Sequence, residues 1–268
     1  MYKLVALDMD GTLLTNNKEV SERNRQAIAK AQSMGVTIVL ASGRPLQGMK
    51  PIADSLNITS SNDFIVCFNG SRVHRASDDK IVRQHIMTGK DAKRIAGLAR
   101  ELNVHHHAFS TDKGLITPKN NPFTGREAIV NGVKINEFDF DMLEDDEGII
   151  KTMFADAEEV IDDIILKVPK AYFDDFTLVR SASIFYEFLN KQSNKGLAVE
   201  SVANQLGIKA NEVICMGDAQ NDHHMIKYAG LGVAMGNATE DTKAIADYIT
   251  DSNNDSGVAK VIEEFILS

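Results

Sequence analysis

The chain of 268 residues is short of the residues that mark special protein classes. It has five prolines, two cysteines and no tryptophan. No stretch approaches the ~20 apolar residues that a membrane span needs. Few prolines and no low-complexity tract exclude a collagen-like or disordered chain. Cys67 and Cys215 lie in FIVCFNG and EVICMGD, which read as buried strands, so a disulfide scaffold is excluded. Buried thiols acting as small apolar residues, in a cytoplasmic setting, are expected instead. A basic excess is missing too: 38 acids face 29 lysines and arginines, for a formal charge of −9. With no basic stripe, neither nucleic acid nor an anionic membrane is expected as a partner. The first apolar run, Leu4 to Leu7, is too short for a signal-peptide core. A soluble intracellular protein of one large domain or two smaller ones is the expectation.

What is present is a series of short apolar runs that end in polar residues or glycine. They are Leu4–Leu7, Thr37–Leu40, Phe64–Phe68, Val213–Met216, Gly232–Met235 and the weaker Tyr248–Ile249. Runs apolar on both faces suit a parallel sheet covered by helices. Helical patterns separate them: one capped by Ser21 and closed near Gly35, then Asn194–Leu206 and Gly257–Leu267. The alternation predicts an α/β fold with a doubly wound parallel sheet. The middle differs. A hairpin (Ser71–His74 with Ile81–Met87) leads to an amphipathic helix through Ile95, Leu98, Ala99 and Leu102. Strands at Val104–Ser110, Leu115–Thr117, Thr177–Val179 and Ile184–Leu189, with a helix at Val160–Val168, complete it. Residues 86–189 therefore read as an α+β insert in a core made of residues 1–85 and 190–268.

In open α/β sheets, ligands bind beyond the carboxyl ends of the strands. Those ends carry Asp8, Asp10, Gly11 and Thr12, then Ser42, Gly43 and Arg44, then Asn69 and Gly70. The later strand delivers Gly217, Asp218, Asn221 and Asp222. Several carboxylates converging on one edge call for a cation, and all-oxygen ligands suit Mg²⁺. Asp8 and Asp10, two residues apart in extended chain, share a side, so that one can attack while the other handles a proton. Ser42 and Lys195 offer a hydroxyl and an ammonium to the oxygens of a transferring phosphoryl group. Lys195 falls in the first turn of a helix, where the dipole disfavours a cation, so an anionic partner is expected.

The set DMDGTLL (8–14), ASGR (41–44), Asn194-Lys195-Gly196 and GDAQND (217–222) resembles the four motifs of the haloacid dehalogenase-like superfamily. The FNG of residues 68–70 and the insert resemble the Cof-type, sugar-phosphatase-like branch. The resemblance implies a Rossmann-like core, a mobile cap, Mg²⁺, and hydrolysis of small phosphorylated metabolites, sugar phosphates above all, through an aspartyl-phosphate. By position, Asp8 would be the nucleophile and Asp10 the acid and base. Asp8, the Asp10 carbonyl and Asp218 would hold Mg²⁺, with Asp222 orienting Lys195 or a metal-bound water. Ser42, Lys195 and Asn221 would bind the phosphoryl group. Thr12, Gly43, Arg44 and Asn69 are further substrate-binding candidates, and Lys113, Lys119 and Arg126 are cap contacts. Asp10 itself favours phosphate chemistry, because the dehalogenases of the superfamily lack its equivalent.

Phosphomutase-type transfer and a non-catalytic sugar-phosphate-binding regulator are the alternatives, and retention of both Asp8 and Asp10 weighs against the second. Several motifs are decoys. The segment Gly43–Lys50 approaches a P-loop, but Met49 stands where its lysine belongs. Gly230–Gly236 has one residue too many for a dinucleotide fingerprint. His105–His107 lacks the neighbours to complete a metal site, and His223-His224 reads as exposed first-turn residues. Residues 137–175 carry 14 acids against three lysines, so the rest of the chain has a net charge of +2. The acidity belongs to one solvated face of the insert.

Overall fold

A computed structural model describes all 268 residues. The run Leu4–Leu7, buried on both faces, lies inside an eight-stranded sheet. From one edge the order is Tyr248–Ile249, Leu231–Ala234, Val213–Gly217, Leu4–Leu7, Thr37–Ala41, Phe64–Cys67, Arg72–Arg75 and Ile81–Gln84. The first six are parallel, Arg72–Arg75 runs antiparallel to them, and Ile81–Gln84 runs antiparallel to Arg72–Arg75. Leu4, Ala6, Val39, Phe64 and Cys215 pack on Ala198, Val199 and Val202 of the helix Lys195–Gln205. Val5 and Leu7 point the other way. The helices Glu22–Ser33 and Gly257–Phe265 pack on each other, and Asn24 Oδ1 accepts the Ala259 amide between them. Ser21 caps the first of these helices by accepting the Asn24 N–H, as its sequence predicts. The fold is thus α/β with a largely parallel sheet.

Contacts divide the chain into two compact units, Met1–Gln84 with Asn194–Ser268, and His85–Ser193. The second unit has its own seven-stranded sheet. Its main path runs Phe176–Ala182, Phe185–Asn190, Gly148–Ala155, His106–Ser110, Gly114–Thr117, Ile135–Glu137. Met87–Thr88 pairs with Gly148–Ile149. The single strand expected over Ile81–Met87 is therefore two pieces in two sheets, because an alternating pattern carries no mark where the chain changes sheet. The strand Gly148–Ala155 carries the most pairing in this sheet and was not expected. Lys151 interrupts its apolar run, and acidic segments flank it. No helix is long and apolar enough to cross a membrane.

Lys151 explains itself in three dimensions. It is 1% exposed, and its Nζ lies 3.1 Å from Glu187 Oε1 and 3.4 Å from Glu127 Oε1. Ser181 Oγ donates a 2.6 Å bond to the same Glu187 oxygen. Removing one member of a buried ionic group costs more than the group contributes, because the partners are left uncompensated. Lys151→Met should therefore destabilise the protein by about 3–5 kcal/mol at neutral pH. Urea unfolding at pH 7 checks this, and a loss below about 1 kcal/mol would contradict it.

Candidate active site

The carboxyl ends of the parallel strands bring three groups of polar residues together. The first centres on Lys195. Asn194 caps the helix by accepting the Leu197 amide, which fixes where residue 195 begins. Lys195 is fully buried, and its Nζ donates to Asp8 Oδ1 at 2.5 Å and to Asp222 Oδ1 at 2.6 Å. The other Asp222 oxygen accepts the backbone N–H groups of Asp218 and Ala219, tying the 218–222 turn to the lysine. Thr12 Oγ1 donates to Asp218 Oδ1 at 3.0 Å. Carboxylate oxygens of Asp8, Asp218 and Asp222 lie within 4.8 Å of one another. Gly11, at φ +84°, passes so close that a Cβ there would sit 2.4 Å from an Asp218 oxygen.

The second group surrounds Asp10. Its carboxylate points to Arg44, whose Nε and Nη2 donate at 2.7 Å to Oδ2 and Oδ1. Lys18 Nζ adds a 2.7 Å contact to Oδ1. Arg44, a substrate candidate in the sequence, is thus a partner of Asp10, and Lys18 was not anticipated at all. The third group is Asn69, whose Oδ1 accepts from Asn221 Nδ2 at 3.1 Å, with Gly43 against the Asn69 amide. Phe68, Asn69 and Gly70 are all left-handed, at φ +52°, +53° and +95°. Such a run is costly for Phe68 and is held only by its surroundings. Gly70 is required twice over, since a Cβ there would meet the Asn194 carbonyl at 2.2 Å. The FNG motif lets the backbone that delivers Lys195 come close. Ser42 is buried, and its Oγ accepts the Arg44 amide at 3.3 Å.

Electrostatics separates the two catalytic candidates. Burial pushes the Asp8 carboxyl well above the usual range; Lys195 opposes this, and Asp222 and Asp218 reinforce it. Burial, with Asp222 adding, pushes Asp218 up to about 7. Burial disfavours the Lys195 charge, but Asp222 and Asp8 outweigh it and hold its pKa above that of an ordinary lysine. Asp10 is the reverse case: burial raises it, yet Arg44 and then Lys18 bring it below the usual value. With all three carboxyls ionised, the cluster carries two more negative charges than the one ammonium balances, and hard oxygen donors are what a divalent cation takes.

The remaining candidates, Lys113, Lys119 and Arg126, belong to the second unit. Lys113 pairs with the buried Glu147 at 2.6 Å, while Lys119 and Arg126 are exposed. Arg126 lines a concavity of about 500 Å³ with Asn120, Pro122 and Ile129. That concavity contains none of the convergent carboxylates. The three consecutive histidines diverge: His105 pairs with Asp156, His106 meets the Phe140 ring, and His107 contacts Thr124. His223 Nε2 lies 2.8 Å from Thr242 Oγ1, and His224 is exposed. Two further residues escaped the sequence reading. Asn237 Nδ2 donates to the Gly11 carbonyl and Asn253 Nδ2 to that of Leu14, which pins the loop behind Asp10.

Fold and site together define a class. Residues 5–262 match the family model of the haloacid dehalogenase-like hydrolases, and the chain belongs to that family. It is a phosphatase of the family. Among its relatives is YxeH of Bacillus subtilis, 39% identical with both chains covered in full, whose name assigns it provisionally to the phosphatases. The 5-amino-6-(5-phospho-D-ribitylamino)uracil phosphatase YcsE, also of Bacillus subtilis, is 33% identical over 99% of this chain and 96% of its own. A haloacid dehalogenase-like hydrolase from Bacteroides thetaiotaomicron has a crystal structure that superposes with a TM-score of 0.84. It is 31% identical, and 99% of this chain and all of that one are covered.

A carboxyl whose folded pKa lies above its unfolded value is destabilising once pH exceeds the unfolded value, and the penalty grows until pH passes the folded one. For Asp218 that window runs from about 4 to about 7. A cation neutralising the cluster removes the penalty. Millimolar Mg²⁺ should therefore raise the melting temperature by several degrees at pH 7.5 and by much less at pH 5. Equal shifts at both pH values would argue against binding at these carboxylates.

Proposed function

We propose that this phosphatase is Mg²⁺-dependent and hydrolyses small phosphorylated metabolites, sugar phosphates foremost, through an aspartyl-phosphate on Asp8. The observation that carries the reading is the Lys195 ammonium between Asp8 and Asp222, beside Asp218. A nucleophile, a phosphoryl-oxygen donor and a cation site within a few ångströms suit displacement at phosphorus. In the first step an Asp8 oxygen attacks phosphorus and the bond to the leaving oxygen breaks. Asp10 gives that oxygen its proton, releasing an alcohol. In the second, water attacks the phosphoaspartate, passes a proton to Asp10, and the bond to Asp8 breaks to release inorganic phosphate.

Ser42 and Lys195 would hold phosphoryl oxygens, with Asn221 and Asn69 supporting them. Thr12 acts through Asp218. Asp8, Asp218 and the Asp10 main-chain carbonyl would hold Mg²⁺, which supplies charge neutralisation for the entering phosphate. Asp222, with both oxygens already engaged, orients Lys195. Residues 86–189 are assigned the role of a cap that selects the leaving group. The preference for sugar phosphates draws support from YcsE, whose name specifies a phosphorylated ribityl compound.

Asp8→Asn should abolish turnover, by at least about 10³-fold, while the protein still folds. EDTA should stop the wild-type enzyme and Mg²⁺ restore it. A screen of phosphorylated metabolites with and without Mg²⁺ names the substrate. Undiminished turnover by the Asp8 variant would sink the mechanism, and full activity in EDTA would sink the metal.

A further inference from the structure

Two loops supply the carboxyl cluster, and a third is bonded to both. Residues 235–239 follow the strand Leu231–Ala234, which is separated from Leu4–Leu7 by Val213–Gly217. The loop nevertheless reaches across to the chain after Asp8. Asn237 Nδ2 donates to the Gly11 carbonyl at 2.8 Å. Two residues on, the Thr239 N–H donates to the Asp218 carbonyl at 3.0 Å. The Asn237 amide has one possible orientation. Its Oδ1 accepts the Asn253 N–H at 2.9 Å, and a backbone N–H can only donate. Nδ2 therefore faces the Gly11 oxygen, which can only accept.

Gly11 is where the two supplying loops touch. Its backbone lies so close to Asp218 that a Cβ would stand 2.4 Å from Asp218 Oδ2. On one side of it is the Asp10 carbonyl, which the proposed mechanism gives to Mg²⁺. On the other is Thr12, whose hydroxyl donates to Asp218 Oδ1 at 3.0 Å. Because the peptide unit is planar, a bond to the Gly11 oxygen orients the whole link from Gly11 to Thr12. Stability is a poor reason for that bond, since Asn237 is exposed and a hydrogen bond open to water contributes little. The cluster supplies a better one. Asp8, Asp218 and Asp222 repel one another when ionised, and one ammonium cannot balance all three. Repulsion drives the two loops apart, and a third loop bonded to each opposes it.

We propose that Asn237 is a positioning residue for the cation, holding the Gly11–Thr12 peptide against Asp218 so that the oxygen donors are assembled before Mg²⁺ arrives. The proposal rests on the reading of this cluster as the Mg²⁺ site. Its consequence lies in metal affinity and not in the chemical step. Partners that orient metal ligands typically govern about 10- to 100-fold of affinity.

Mn²⁺, which takes the same oxygen donors, is the probe, with free ion counted by electron paramagnetic resonance. Asn237→Ala should weaken the tightest Mn²⁺ site by about tenfold or more. The Mg²⁺ concentration that gives half of the melting-temperature rise should increase in step. Without metal, this variant should melt within about 2 °C of wild type. At saturating Mg²⁺ its kcat should return to within about twofold of wild type. Asn254→Ala is the control: it removes the oxygen that accepts the Asn16 N–H at 3.0 Å, a tie further along the same loop. Its Mn²⁺ affinity should match wild type within about twofold. Unchanged affinity in Asn237→Ala, or an equal loss in Asn254→Ala, would overturn the proposal. So would a loss of turnover that saturating Mg²⁺ does not restore. Asp218→Asn tests the reading beneath, and should remove the tightest Mn²⁺ site. If that variant binds Mn²⁺ as wild type does, the metal assignment falls and the proposal with it.

Discussion

Most of the first unit is organised around one buried ammonium. A lysine with no exposure is tolerable only with charged partners, and Lys195 has Asp8 and Asp222 at hydrogen-bond distance. Each partner extends the constraint. Asp222 gathers the amides of its own turn and so sets where Asp218 lies, while Asp8 stands at the end of the Leu4–Leu7 strand. The lysine's backbone is admitted only because Gly70 leaves room beside Asn194. The arrangement is deliberately unbalanced. The ammonium satisfies the geometry of the cluster without cancelling its charge, and that residual charge separates a site awaiting a cation from a finished ion pair.

The two aspartates of the DMD motif face opposite electrostatic conditions although they are two residues apart. Asp8 is buried among like charges, and its carboxyl is pushed up; Asp10 sits nearer solvent between two cations, and its carboxyl is pulled down. Taken without a cation, these shifts run against the tasks proposed for the pair, since a nucleophile must be ionised and an acid protonated. A cation beside Asp8 would lower its carboxyl, and an anionic phosphoryl group beside Asp10 would raise the other. The two do not share a side as an extended chain would have them, because the strand ends at Leu7 and the chain turns at Met9; the origin of each partner then makes the division. Lys195 comes from a helix beneath the sheet edge, and Arg44 and Lys18 come from loops at its rim.

Residues that occupy a strand end could be found from the sequence, because a parallel strand buried on both faces stops where its apolar run stops. Asp8, Asp10, Ser42, Asn69 and Asp218 are all of this kind. Lys195 was visible as a charge out of place in a first helical turn. Lys18, Asn237 and Asn253 were not visible, since their roles depend on loops folding back across the chain, and a polar residue in a polar loop gives no sign of its partner. The strand Gly148–Ala155 was hidden for the opposite reason: Lys151 breaks its pattern, and only the burial of Glu187 and Glu127 beside it accounts for the break. The helix Pro122–Asn131 is similarly inverted, with Thr124, Glu127 and Asn131 inside and Ile129 and Val130 outside. Most acids of residues 137–175 do lie on the surface, while Glu147 is buried against Ser110 and Lys113.

The Leu4–Leu7 strand pairs on one side with Thr37–Ala41 and on the other with Val213–Gly217. On the ribosome its first neighbour is therefore made early, and its second only after the whole of the other unit has been synthesised. A contact spanning some two hundred residues is slow to form by chain entropy alone. Until it forms, Asp8 has neither Asp218 nor Asp222 beside it, and the three-carboxylate cluster does not exist. A nascent or truncated product that stops short of the late strand carries the first motif without the carboxylates that complete the cluster.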